Sequence, residues 1–161
     1  MKAFSVSIFI SLLAIAVFSG CAGQSTPTRQ LGGITIVEGR STADLKDFTP
    51  KRRALFETAL EKELYGSESG FTRGNNYTLT WTVIKVDEGS GAARFFAGGA
   101  IGRGVLDVLV QVSDAKGKVI GVHESTGMDE GRPRNENLEL MCEDAGTEAA
   151  QLAQKIVING S

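Results

Sequence analysis

The chain has 161 residues, a formal net charge of −2, one histidine and two cysteines. This weakly acidic balance gives nucleic acid no electrostatic attraction, so nucleic-acid binding is excluded as a class of function. The length suits one ordinary domain with a real hydrophobic core.

The first twenty residues have the layout of a secretory signal peptide. Lys2 precedes an apolar run from Val6 to Phe18, and small residues follow the run. A transmembrane helix needs about 20 predominantly apolar residues, and this run is shorter and interrupted by two serines. We therefore predict a cleaved export signal over residues 1–20.

The boundary tetrapeptide, Phe18-Ser19-Gly20-Cys21, resembles the bacterial lipobox, in which one apolar and two small residues precede an obligatory cysteine. The resemblance implies cleavage between Gly20 and Cys21. It also implies that the Cys21 thiol carries diacylglycerol, and that this lipid and further acyl chains such as palmitate anchor the protein firmly in a membrane. Because Ala22 rather than aspartate follows, the resemblance implies an outer-membrane address facing the periplasm. An ordinary cleavage site that leaves a soluble secreted protein is the alternative.

The mature chain divides into a predicted tether, residues 21–31, and a predicted folded domain, residues 32–161. The tether is polar, contains Pro27 and lacks apolar periodicity, as flexible linkers do. The apolar run Ile34–Val37 follows between glycines, and this predicts a buried strand.

A helix is predicted from Thr49-Pro50 to about Gly66. Threonine can cap a helix, proline is favoured at its first position, and glycine can end it. The basic run Lys51-Arg52-Arg53 is predicted to lie on its solvated side. Contact of this run with anionic lipid head groups is the functional alternative, since basic residues are poorly placed at a helix N-terminus.

The segment "YTLTWTVIKV" predicts a strand with Tyr77, Leu79, Trp81 and Val83 on the core face and threonines on the other. The alternation breaks at Val83-Ile84, which predicts a β-bulge. A ligand-binding role for Tyr77 and Trp81 remains the alternative to core packing.

The glycine-rich stretch "ARFFAGGAIGRG", residues 93–104, fits neither a phosphate-binding loop nor a membrane span. It has no Lys-Ser/Thr after a suitably spaced glycine, no GxGxxG spacing, and too few residues between its arginines. Its glycines permit bends or close backbone approach, and the adjacent phenylalanines supply burial. We interpret it as the entry to a strand, and its best functional use is the docking of a protein partner through Arg94, Phe95, Phe96, Gly98, Gly102 and Arg103.

A β-hairpin and a helix complete the chain. "VLDVLVQVS" and "KVIGVHEST" flank Asp114-Ala115-Lys116-Gly117, whose acid and glycine predict a type I turn closed by a glycine with positive φ. After the polar segment "GMDEGRPRNEN", a helix is predicted from about Leu138 or Asp144 to Ile158, with Gly146 weakening its first part.

Catalytic chemistry finds no support in the sequence. Cys142 lies on the predicted helix before two acids, which raise a thiol pKa, so a structural cysteine is favoured over a catalytic one. His123 has no second imidazole to share a metal and is interpreted as structural or exposed. No carboxylate pair is constrained enough to be named as acid and base. We predict no enzyme activity, no cofactor and no metal site.

The segment from Val86 to Gly121 resembles bacterial lipoproteins of the domain of unknown function 4410 family. A Gly-x-Ala-x-Arg-aromatic run leads there into spaced glycines and then into a hairpin, although Ala97-Gly98-Gly99 stands where the family has an apolar residue between glycines. The resemblance implies no activity. The matching residues are Gly89, Gly91, Ala92, Arg94, Phe95, Gly98, Gly102, Gly104, Asp114, Gly117, Lys118 and Val119.

Together these patterns predict a single small α+β domain, an antiparallel or mixed sheet of about four strands covered by two helices on one face. The leading functional hypothesis is a non-enzymatic, lipid-anchored envelope protein that binds a protein partner or forms a homo-oligomer. The alternative is a lipoprotein that binds a small ligand or glycan on a lip built from Tyr77, Trp81 and residues 98–104. A hydrolase is a third, more distant hypothesis, which needs a polar pocket joining His123 to a carboxylate and a nucleophile.

Overall fold

The computed structural model describes residues 29–87, 104–128 and 134–160. Within these ranges the chain forms five strands and two helices, with both helices packed on one face of a mixed sheet. The predicted α+β class is therefore confirmed. The elements are β1 Gly32–Glu38, α1 Pro50–Leu64, β2 Phe71–Arg73, β3 Tyr77–Asp87, β4 Val105–Asp114, β5 Val119–Met128 and α2 Arg134–Gly160.

The sheet has the strand order β2-β1-β3-β4-β5. β1 runs parallel to both β2 and β3, whereas β3, β4 and β5 follow each other antiparallel. A parallel neighbour needs a crossover connection, and α1 supplies it between β1 and β2. β2 is one strand more than the sequence predicts. It is three residues long and lies in a polar segment, so it leaves no periodic signal.

The centre of the core is the alternating face of β3 and β4. Leu79, Trp81 and Val83 are at most 2% exposed, and their neighbours on the strand point to the opposite face. The register between β3 and β4 shifts between Val83 and Lys85, which confirms the predicted bulge. On β4 the same alternation buries Leu106, Val108, Val110 and Val112 completely.

Helix α1 begins as the sequence predicts. Thr49 is the N-cap, its side chain accepts a hydrogen bond from the Arg52 amide, and Pro50 is the first helical residue. The helix ends at Leu64, two residues before Gly66, where the Tyr65 amide donates to the Glu61 carbonyl over 2.9 Å. Its buried side chains are Phe56, Leu60 and Leu64.

The turn between β4 and β5 has the predicted chemistry. Gly117 adopts φ +79°, a conformation that side chains rarely tolerate. The Asp114 carboxylate accepts the amides of Lys116 over 2.8 Å and Lys118 over 3.0 Å. This turn fixes the register of the hairpin.

Helix α2 begins at Arg134, earlier than the predicted start near Leu138 or Asp144. The added turn is polar and carries no apolar periodicity, so the sequence pattern cannot locate it. Gly146, which weakens the helix by propensity, is where α2 crosses α1. A β-carbon there would lie 2.4 Å from the Phe56 carbonyl oxygen, so only glycine permits this approach of the two helices.

Candidate functional site

The residues predicted for lipidation and docking lie outside the described ranges. These are Gly20 and Cys21, and also Arg94, Phe95, Phe96, Gly98, Gly102 and Arg103. The described residues on either side nevertheless fix where both regions join the domain. Arg29 follows the first region in the chain, and Asp87 and Gly104 flank the second.

These junctions lie at opposite ends of the sheet. Leu31 donates its amide to the Gly70 carbonyl over 2.7 Å, which holds the end of the tether beside the start of β1. At the far end of β3, Asp87 pairs with Val105 of β4, and the segment 88–103 joins these two strands. β3 has eleven residues, so at about 3.3 Å per residue the two ends are about 33 Å apart.

Trp81 belongs to the core and cannot form a surface lip. It is 1% exposed, its ring centroid lies 4.8 Å from that of Phe56, and Phe48 packs against it edge-on at 6.4 Å. Tyr77 is half-buried and packs edge-on against Phe71. This placement counts against the ligand-binding alternative, which relied on both rings.

Each basic side chain of the run at the start of α1 contacts an acceptor in the same chain. Lys51 pairs with Glu139 of α2, and Arg53 pairs with Glu38 of β1 over 2.5 Å. Arg52 donates to the carbonyl of Asp47. These contacts join α1 to α2 and to the sheet, so they favour the structural interpretation of the run.

Cys142 is buried on α2 and is not a reactive thiol. Burial raises the pKa of the Cys142 thiol to about 12, with Glu139 and Glu143 adding to the rise and Arg52 opposing it. The nucleophile is the thiolate, which at this pKa is scarce near neutral pH.

His123 is exposed on β5. Among the described residues, no three histidine, cysteine or acidic side chains are close enough together to hold a metal ion. Within the same ranges no helix has both the length and the apolar character needed to cross a membrane.

A groove on the exposed side of α1 has a volume of about 510 Å³. Arg73 from β2 closes one side of it. Its guanidinium lies 4.3 Å from the centroid of the Tyr65 ring and pairs with Glu61 over 2.7 Å. Two of the charges that line the groove, Arg73 and Glu61, therefore already satisfy each other.

Strand β5 carries the polar contacts that sequence reasoning missed. Ser125 is fully buried and donates its hydroxyl to the Ala145 carbonyl of α2 over 2.9 Å. Glu148, also on α2, accepts the Thr126 amide over 2.9 Å. A serine and two glycines where the strand faces a helix are the signal that could have indicated this close packing.

Val119 and the three consecutive residues 122–124 of β5 are exposed. Within the described ranges β5 pairs with β4 alone, so its other edge carries amides and carbonyls without a strand partner. We call residues 119–124 on this side the open edge. Val119 is 44% exposed and Val122 is 45% exposed. An exposed strand edge with apolar side chains is a ready template for another strand.

Comparison of the sequence with family models gives one match. Residues 52–128 match the model described as "Domain of unknown function (DUF4410)". The match confirms the resemblance that the hairpin and the glycine-rich stretch indicate. Among curated proteins, no sequence matches this chain.

Solved structures share the fold at low sequence identity. Protein XCC0632 from Xanthomonas campestris, described as family DUF330, has a TM-score of 0.54 at 13% identity, over 84% of this chain and 90% of that chain. A PelC dodecamer from Paraburkholderia phytofirmans has a TM-score of 0.51 at 14% identity, over 80% and 90%. A minor lipoprotein from Acinetobacter baumannii gives 0.42 at 15% identity, over 81% and 94%. At these identities the first two similarities show the fold alone.

Proposed function

We propose that the protein, whose residues 52–128 match the model of the domain of unknown function 4410 family, is a lipid-anchored component of the bacterial envelope with no catalytic activity of its own. In this proposal Cys21 carries the lipid, the anchor lies in the outer membrane, and the domain faces the periplasm. The domain acts as an accessory or scaffold unit that binds a protein partner or itself.

The observation that carries the proposal is the placement of the tether. The lipobox-like tetrapeptide is followed by a short polar segment whose end is held at Gly70. The stretch from Cys21 to Arg29 spans at most about 28 Å at full extension. A lipid on Cys21 therefore keeps the end of the sheet where β1 begins close to the membrane. The opposite end, at the Asp87–Val105 pair, points away from the membrane.

The docking residues suit this orientation. Arg94, Phe95 and Phe96 belong to the segment that joins β3 to β4 at the end far from the tether. A partner that approaches from the periplasm meets this end first. The same proposal includes self-association, which the dodecameric assembly of PelC makes plausible for a chain of this fold.

The anchoring step is tested by replacing the predicted lipid carrier in the full chain. Cys21→Ser should abolish acyl labelling and release the protein from sedimented membranes. Cys142→Ala is the matched control, since it removes the other cysteine and should leave labelling and fractionation unchanged. Density-gradient separation of inner and outer membranes then locates the anchor. Unchanged sedimentation of Cys21→Ser would overturn the proposal.

The docking step is tested by in-cell photo-cross-linking. A photoreactive residue at Phe96 should give a discrete adduct with a partner that mass spectrometry can identify. The same residue at Lys116, in the turn at the opposite end of the sheet, is the control. Equal labelling from both positions, or none from Phe96, would contradict partner docking at this end.

A further inference from the structure

We propose that the open edge of β5 pairs with the open edge of a second copy of this chain, in an antiparallel arrangement with its two-fold axis at Val122. The inference rests on the proposed function only in naming self-association as a mode of action. It adds the surface, the partner and the register. The resulting dimer has one sheet that continues through both copies.

The direction of the free backbone groups comes from Glu148. Its carboxylate accepts the Thr126 amide over 2.9 Å, so this amide points away from β4. Backbone amides alternate in direction along a strand, and those of Glu124 and Val122 therefore point outward as well. Glu148 closes the edge at Thr126, and the outward groups of Val122 and Glu124 remain for another strand.

The β5 edge of a second copy fits this open edge better than the opposite edge of that copy's sheet does. That other edge is divided between β2, which has three residues, and the part of β1 beyond Ile34 that β2 does not pair with. It offers no uninterrupted strand that matches the ten residues of β5. The strand that best matches the open edge is thus the same strand from another molecule.

The side chains favour the register centred on Val122. The exposed Val122 side chains then lie against each other, and His123 lies opposite Gly121. Glu124 lies at the Ile120 end of the second copy's strand, where the pairing of β5 with β4 is irregular, and Lys118 of that copy, two residues from Ile120, carries the opposite charge. No two like charges face each other directly in this register.

The membrane anchor makes a modest interface sufficient. Two strands that pair at their edges bury less surface than a standard protein interface. Copies confined to one membrane meet at a raised effective concentration, so a weak contact is populated without further area.

The first experiment uses the full chain in its own membrane. Val122→Cys should form a disulfide-linked dimer on a non-reducing gel after mild oxidation, because an axis at this position brings the two β-carbons within bridging distance. Val37→Cys is the matched control, since Val37 is a strand valine of almost equal exposure, 43%, on β1. A dimer from Val122→Cys alone supports the inference. Its absence, or equal dimer from both variants, overturns it.

The second experiment disrupts the contact between the two Val122 side chains without introducing a disulfide. Val122→Lys places two positive charges at the axis and should reduce chemically cross-linked dimer at least fivefold, whereas Val37→Lys should leave it unchanged. Both variants should still sediment with membranes, because Cys21 is intact. Unchanged anchoring in Cys21→Ser would refute the anchor alone, and retained dimer in Val122→Lys would refute the interface alone.

Discussion

The two helices cover the same face of one sheet with opposite kinds of side chain. α1 rests on large aromatic residues, with Phe56 over Trp81 and Phe48 beside both rings. α2 rests on small residues: Ala145, Ala149 and Ala153 are fully buried, and Gly127 of β5 approaches the Met141 carbonyl so closely that a β-carbon would lie 2.2 Å from it.

The difference shows how one layer of helices can pack on the same sheet at two different distances. Under α1 the volume between helix and sheet is filled by rings, so stability depends on retaining that volume. Under α2 the backbones of helix and strand are close, so stability depends on keeping the side chains at this contact small. Substitutions of opposite kinds should therefore damage the two halves, and the following variants test this, from the largest expected effect to the smallest.

Removing the ring at the centre of the core between α1 and the sheet should have the largest effect. Trp81→Ala is expected to lower the free energy of unfolding by about 3–5 kcal/mol, because it leaves a cavity under Phe56 and Phe48. Trp81 is the only tryptophan, so urea unfolding should be followed by far-ultraviolet circular dichroism rather than fluorescence. Thr80→Ala, on the other face of β3, is the control. A loss no larger than that of the control would show that the rings do not carry this half.

Adding one methyl group should damage the α2 half. Gly127→Ala and Gly146→Ala each force backbone apart and are expected to cost about 1–3 kcal/mol of unfolding free energy. At Gly146 this loss appears despite a gain in helix propensity of about 1 kcal/mol. Gly160→Ala is the matched control, because a β-carbon there has no neighbour closer than 3.9 Å. Stabilisation by Gly146→Ala would mean that the helices are not in close approach.

The buried thiol under α2 sharpens the comparison through pH. The Cys142 pKa is raised from 9.0 to about 12, so above pH 9 the unfolded chain loses this proton while the folded chain keeps it. Stability should then fall by at most about 1.4 kcal/mol per pH unit between pH 9 and 12. Denaturant unfolding of Cys142→Ala at the same pH values should lack this part of the decline. Equal pH dependence in both proteins would contradict a buried thiol.

The smallest effect is expected where α2 holds the edge of β5. Glu148→Ala removes the acceptor of the Thr126 amide and should cost about 1 kcal/mol, since the exposed amide can turn to water. Asp144→Ala, on the same helix, is the control. Hydrogen exchange of the Thr126 amide should accelerate in Glu148→Ala alone, and unchanged exchange would show that the contact does not persist in solution.

The central strands and their hairpin were predictable because their signals are local. The alternation from Tyr77 to Val83 marks the buried face, the doublet Val83-Ile84 marks the bulge, and Asp114 with Gly117 marks the turn. Each signal depends on neighbours in sequence, and the structure confirms all three.

Features that depend on distant residues were not predictable. β2 exists because Phe71–Arg73 can pair with β1, a partner far away in the sequence. Gly146 was interpreted through helix propensity, whereas its role follows from the position of α1. The exposed edge of β5 follows from strand order, which a single sequence does not contain. Of the candidate site, both the lipobox at Phe18–Cys21 and the docking residues stay predictions outside the described ranges.

The hydrogen bond between Leu31 and Gly70 has a mechanical consequence. Gly70 adopts φ +77°, and the end of the tether packs against it at the entrance to β1. β1 lies between two parallel neighbours, so a pull on the tether against a partner held at the far end loads these strands along their length. Several hydrogen bonds must then break together rather than one after another. We expect the domain to resist such a load, because the load shears the hydrogen bonds between these strands all at once. A link held in tension between membrane and partner would need this resistance.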